Sequence, residues 1–250
     1  MTLIRDIMNF LLPRQCIICG TTLTGREHSL CGNCLLRLPR TDCHLVEHNY
    51  MERLFWSHIP IERAAAFFHH DGIKVRSILY NLKYYSRPDV AFDMARIYAE
   101  ELDESDFFAG IDCIVPVPLH WRRRLKRRYN QSDYIAKGLS KHTGIPVLTN
   151  VVKRVVNNPS QTKMNSIDRK QNVERIFCLT QPEKIHGKHV LLVDDVITTG
   201  STLISCAQEL AKAGDVRISV LTLAIASRSQ VPTSDSDHPD ASVFGLPLME

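Results

Sequence analysis

The fold class predicted for this chain is α/β: a parallel sheet flanked by helices, with a small cysteine-rich element at the N-terminal end. Three observations predict it. The continuous apolar run Val190-Leu191-Leu192-Val193 is followed by a loop, a helix-spaced apolar set and a second buried run, which together make a βαβ unit. Two Cys-x-x-C knuckles sit close together near the start. The composition, 44 % apolar and 23 % charged over 250 residues, is that of a soluble globule, and at about 150 residues per domain it accommodates one full domain plus an appendage.

The same numbers exclude other classes. No apolar run approaches the ~18–20 residues of a bilayer span. The net charge of +4 is too small to signal nucleic acid by itself. In the first twelve residues, Ile4, Ile7, Met8, Leu11 and Leu12 have helical spacing, with Asp6 among them and no small-residue cleavage site. That predicts a short amphipathic helix and a cytoplasmic chain, whose eight cysteines are reduced thiols or metal ligands.

Cys16 and Cys19 form one knuckle, Cys31 and Cys34 the other, with eleven residues poor in apolar side chains between them. Four thiolates so spaced close a tetrahedral Zn2+ site, and with sulfur at every position the zinc is structural. Metal binding of about 10–16 kcal/mol would fold a segment that cannot bury a core of its own. For Cys43, His44 and His48 two readings stay open, a second metal site and solvated histidines. His69-His70-Asp71 before Gly72 reads as a polar turn. Val75, Ile78, Leu79 and Leu82 predict a helix over 73–85 that delivers Lys83 near its end, and Val90, Met94, Ile97 and Tyr98 predict another over 89–101.

From residue 111 strands and helices alternate. The β-rich run 111–115 is stopped by Pro116 and Pro118, which cannot donate to a ladder. A basic run follows, then a helix over 132–142 with Gly144 as its stop. Residues 147–156 read as a strand, and the polar stretch 157–172 has the length of a functional loop that could serve as a lid. Helical spacing at Leu203, Cys206, Ala207, Leu210 and Ala211 leads to a last strand over 218–225. Residues 229–250, acidic and proline-containing, are expected to be disordered. The expected division is 1–45, N-terminal helix and zinc element; 46–228, main domain; 229–250, tail.

The sharpest signal is the strand that ends in Asp194-Asp195 and runs through Val196-Ile197 into Thr198-Thr199-Gly200-Ser201-Thr202. The loop offers backbone N–H groups, hydroxyls and the positive end of a helix dipole, which suit a phosphate monoester. Carboxylates repel phosphate, so Asp194 and Asp195 suit sugar hydroxyls or Mg2+. A ribose 5-phosphate satisfies both halves. The Mg2+ strand of a P-loop NTPase is disfavoured because no G-x-x-x-x-G-K-[ST] occurs; an Asp pair before an ordinary helix cap is the remaining alternative.

This segment resembles the phosphoribosyl pyrophosphate (PRPP) motif of type I phosphoribosyltransferases, and the chain from Cys16 to Ala226 resembles the ComF family of competence-related proteins. The likeness rests on the knuckle pair, Leu82-Lys83-Tyr84, Val115-Pro116-Val117-Pro118-Leu119, Tyr129-Asn130-Gln131, Gln161, Arg169 and Asn172, and the Asp194-Asp195 strand. It implies a Rossmann-like phosphoribosyltransferase domain joined to the zinc element. It also implies Asp194 and Asp195 at the ribose hydroxyls, Thr198, Thr199, Gly200, Ser201 and Thr202 around the 5′-phosphate, and Arg122, Arg123 and Arg124 near the pyrophosphate. Where the family usually has Arg-Gly before the aromatic residue, this chain has Arg127-Arg128, so Arg128 faces a position where a left-handed backbone would be costly.

Arg122 to Arg128 carries six positive charges in seven residues between Trp121 and Tyr129. Three readings stay open: a pyrophosphate clamp, a single-stranded DNA contact with aromatic stacking, and a solvated helix face. The function implied is binding of PRPP with Mg2+ in support of DNA uptake, with transfer of the phosphoribosyl group to an acceptor and release of pyrophosphate. The rival is a non-catalytic PRPP sensor or single-stranded DNA adaptor for a helicase-like competence partner.

Overall fold

The structure, a computed structural model, describes residues 14–25, 27–70, 72–84, 87–156 and 176–226. The N-terminal helix expected over the first twelve residues, the 157–172 loop with Gln161, Arg169 and Asn172, and the tail lie outside the described residues.

Two short helices, α1 (Gly32–Leu36) and α2 (Tyr50–Arg53), precede the first strand, β1 (Ala64–His69). Helices α3 (Ile73–Tyr84) and α4 (Pro88–Leu102) lead to β2 (Cys113–Pro116), the basic helix α5 (Trp121–Arg127) and α6 (Gln131–Thr143). A hairpin follows, β3 (Val152–Arg154) antiparallel to β4 (Phe177–Leu179), and then β5 (His189–Ile197), α7 (Ser201–Ala211) and β6 (Arg217–Ile225). The main sheet is parallel throughout, in the order β1-β6-β5-β2.

Alternation of side chains along buried strands divides the core in two. Leu191, Val193, Leu221 and Ile114 face α4 and α6, while Val190, Leu192, Val220 and Val115 face α7 and the β3–β4 hairpin. Helix α4 starts on a proline, which suits a first turn that has no N–H partner, and it buries Val90, Met94, Tyr98 and Leu102 at helical spacing. Helix α6 ends as expected at Gly144, which takes a left-handed conformation.

Three features were not anticipated. The segment Ala64-Ala65-Ala66 belongs to a strand, and His69 is its last residue instead of part of a turn. The strand-like stretch 147–156 is a single bridge from Val147 to Ile114 followed by the short β3. Its partner β4 had no sequence signal beyond Phe177.

The cysteine-rich element is not an isolated bead. Leu23, Leu30 and Leu38 join the core beneath α4. Arg40 forks onto Glu101 at 2.8 and 3.0 Å while its guanidinium lies 4.5 Å from the Phe67 ring centre. The chain at 39–41 runs along β1, with His69 N donating to Pro39 O at 2.9 Å, and so covers that sheet edge.

Helices α4 and α6 meet at Gly138, where a Cβ would lie 2.4 Å from Phe92 O and 2.9 Å from Ala95 Cβ. Gly138→Val is expected to cost about 1–3 kcal/mol or more through overpacking. Urea unfolding monitored by circular dichroism checks this; an unchanged midpoint would mean the helices separate without penalty.

Candidate functional site

Strand β5 is buried on both faces from His189 to Val193, then emerges at the carboxyl end of the sheet, where Asp194 and Asp195 follow one another. Ligand sites in open parallel sheets form at this end. The Asp194 residue keeps some surface, but its carboxyl is enclosed. Burial first, and the Asp195 charge second, push it up to about 7; the Asp195 amide, the Ser132 hydroxyl and Lys83 oppose that rise.

Beyond Ile197 the chain turns through Thr198 to Gly200 into α7. Gly200 has φ +78°, a left-handed conformation that favours glycine, and a Cβ there would sit 3.2 Å from Ile204 Cδ1. Thr199 Oγ1 and Ser201 Oγ are 2.9 Å apart, and the hollow beside them is lined by Asp194 and by Thr198 through Leu203. First-turn N–H groups of a helix lack intrahelical acceptors, so this hollow has the character of an anion seat.

The carboxylates are held from two other elements. Ser132, in the first turn of α6, donates to Asp194 Oδ1 at 2.9 Å, and that oxygen also accepts from Asp195 N at 2.9 Å. Lys83, near the end of α3, places its Nζ 3.3 Å from Asp195 Oδ2. The Tyr129-Asn130-Gln131 triplet explains this convergence. Tyr129 Oη and Gln131 Nε2 both donate to Leu82 O, while Asn130 Nδ2 donates to Val117 O at 3.0 Å, just past β2. Arg128 does take the left-handed conformation, φ +66°, at a cost of about 1–2 kcal/mol, and turns the chain from α5 into the triplet.

The three arginines diverge. Arg122 is exposed, its guanidinium 5.2 Å from the Trp121 ring centre; Arg124 is exposed on the Asp133 side; Arg123 is half-buried beside His120 and Arg154. Arg154, on β3, had escaped attention. It lies over the Phe177 ring at 5.5 Å; burial, then Arg123, hold its guanidinium below its ordinary value, and Asp194 opposes them. Ser132 and His120 were equally unmarked, because a serine or histidine among polar neighbours has no periodic signature.

In the N-terminal element the Sγ atoms of Cys16, Cys19, Cys31 and Cys34 all lie within 4.8 Å of one another. The Cys19–Cys31 separation of 3.7 Å matches the ~3.8 Å edge of a tetrahedron with Zn–S bonds of about 2.3 Å. Backbone bonds close the first knuckle, Cys16 N to Thr21 O and Gly20 N to Cys16 O, each 2.9 Å, and the second knuckle opens α1. The cluster can hold a metal such as zinc. Among the described residues it is the one such group: His44 turns to the Tyr98 ring and His48 to the Trp56 ring.

A family model described as a phosphoribosyl transferase domain matches residues 131–246. Competence protein F of Haemophilus influenzae is 35 % identical over 210 residues, 84 % of this chain and 83 % of that protein. The chain belongs to the ComF family of competence-related proteins. Other ComF-like relatives are the DNA utilization protein YhgH of Escherichia coli K12, 29 % identical over 83 % of this chain and 88 % of that one, and competence protein ComFC of Bacillus subtilis, 32 % identical over 41 % of each. Among solved structures, an adenine phosphoribosyltransferase aligns with a TM-score of 0.39 and 14 % identity, covering 58 % of this chain and 75 % of that one. This ComF-family chain thus carries a type I phosphoribosyltransferase fold with a parallel sheet, preceded by a four-cysteine element. No helix among its described residues is long and apolar enough to cross a membrane.

If the four thiolates share a metal, stripping it with a strong chelator should lower the thermal midpoint. It should also make the knuckle thiols reactive, while Cys113 and Cys206, buried in the sheet core, stay protected. Thiol titration before and after chelation checks this; equal reactivity in both samples contradicts metal ligation.

Proposed function

We propose that this protein binds PRPP with Mg2+ at the end of β5 and supports DNA uptake; the names of its relatives speak of competence and of DNA utilization. Zinc in the four-cysteine element is part of the same proposal. One observation carries the reading: Asp194, at the end of β5, lines one hollow with the Thr198–Gly200 turn and the first turn of α7, so one ribose 5-phosphate can meet carboxylates at its 2′- and 3′-hydroxyls and helix amides at its phosphate. In this reading Thr198, Thr199, Gly200, Ser201 and Thr202 seat the phosphate. Arg123, Arg154 and His120 face the diphosphate, with Arg122 and Arg124 beside Arg123 on the same helix. Mg2+ bound with the diphosphate would supply positive charge to the leaving group, alongside Arg123 and Arg154.

As a transferase the protein brings an acceptor nitrogen to C1 of the ribose. The new C–N bond forms while the C1–O bond to diphosphate breaks, diphosphate leaves with the electron pair, and the acceptor's proton passes to solvent or a base. Asp194→Asn with Asp195→Asn is expected to weaken PRPP binding by about 2–4 kcal/mol, the loss of charged acceptors for two sugar hydroxyls. Calorimetry showing equal affinity for the variant and the parent protein would refute the site. Pyrophosphate release in the presence of nucleobases and amines separates transferase from sensor, since a sensor releases none.

A second reading concerns α5. Its outward face joins Arg122, Arg124 and Lys126 to Trp121, 59 % exposed, and Leu125, 71 % exposed, with Arg122 stacked on Trp121. Cations interleaved with an exposed aromatic suit the phosphates and bases of single-stranded DNA. Replacing Arg122, Arg124 and Lys126 by Ala should weaken oligonucleotide binding and make the log–log salt slope shallower by about 2. Unchanged binding removes DNA from this surface.

A further inference from the structure

Lys83 makes the ion pair closest to the candidate site, yet nothing in the site as described needs its charge to seat a sugar or a 5′-phosphate. Its side chain is 29 % exposed, against 13 % for Asp195. An ion pair this open to water adds little to stability. Even so, three consecutive residues tie the end of α3 to the exit of β2. Tyr129 and Gln131 hold Leu82 O, and between them Asn130 holds Val117 O at the exit of β2. The backbone of Lys83 is thereby anchored to the same tripeptide as the loop that leaves β2, while its ammonium rests 3.3 Å from Asp195 Oδ2. A lysine is a point charge on a flexible four-carbon stem, suited to moving between two anions that a fixed backbone keeps within reach.

We propose that Lys83 contacts the ligand directly: from its place beside Asp195, it moves its ammonium to the diphosphate of a bound sugar and leaves Asp195 to accept from a ribose hydroxyl. This role rests on the sugar-diphosphate reading above. It explains why two adjacent carboxylates can wait without a ligand, since Lys83 offsets the charge of one and Ser132 hydrogen-bonds the other. It also makes recognition of the diphosphate depend on a residue far in sequence from both the Asp pair and the arginine run.

The test compares three probes by calorimetry: PRPP with Mg2+, inorganic pyrophosphate with Mg2+, and ribose 5-phosphate. Lys83→Met is expected to lose about tenfold or more in affinity for the first two, one charge-assisted contact, and to keep ribose 5-phosphate within about twofold; Lys83→Arg should recover most of the loss. Because all probes meet the same folded variant, a general loss of structure lowers them together. Equal loss for ribose 5-phosphate and pyrophosphate would overturn the proposal, leaving Lys83 as a support for Asp195 alone, and so would unchanged affinity for pyrophosphate. Parent protein that binds none of the three overturns the sugar-diphosphate reading itself, an outcome distinct from binding that ignores Lys83.

Discussion

Two carboxylates side by side at the mouth of a buried strand repel each other and resist leaving water, and the upper half of this molecule is organised around that constraint. Asp194 meets it partly by holding its proton, its carboxyl pushed up to about 7, and partly by accepting from Ser132 and from the next amide. Asp195 meets it with Lys83. These partners come from three separate elements, α6, β5 and α3, so the site exists only when the parallel sheet and both helices are assembled. Preorganisation of this kind places the cost of desolvation in folding, before a ligand arrives.

The Tyr129-Asn130-Gln131 triplet is the joint that makes the assembly possible. Each of its side chains satisfies a backbone carbonyl at the end of another element, Leu82 on α3 or Val117 after β2. A buried carbonyl left without a partner costs about 1–3 kcal/mol, so the bonds both position the elements and avoid that penalty. Arg128 shows how strongly the turn is specified: an arginine accepts a left-handed backbone so that the triplet can start where it does. The lower half has a different economy. Its cysteine element has few apolar residues, and it is held to the domain by Leu23, Leu30 and Leu38, by the Arg40–Glu101 fork and by the hydrogen bond from Ser29 to Asp93.

The α3, α4, α6 and α7 helices and the central strand β5 were legible because their signal is local: 3.6-residue spacing of apolar side chains, or an unbroken apolar run ended by a change of residue type. Strand β1 was not. Alanines favour helix in isolation, and Ala64 to Ala66 become strand because β6 offers them a parallel partner. Strand β4 was not legible either, three residues being too few for a pattern, whereas its partner β3 lies within the stretch read as a strand.

What the sequence alone determined is chemistry tied to adjacency: four cysteines in two knuckles, two aspartates in succession, a glycine where the loop must turn. Such groups carry their meaning wherever the chain goes, since their spacing is set by covalent geometry. Only the tertiary structure decided which distant side chains answer them. Lys83 reaches Asp195 across more than a hundred residues, Ser132 reaches Asp194, and Arg123 is half-buried beside Arg154 while Arg122 and Arg124 are exposed. Those pairings depend on how sheet and helices pack, and a one-dimensional pattern does not hold that information.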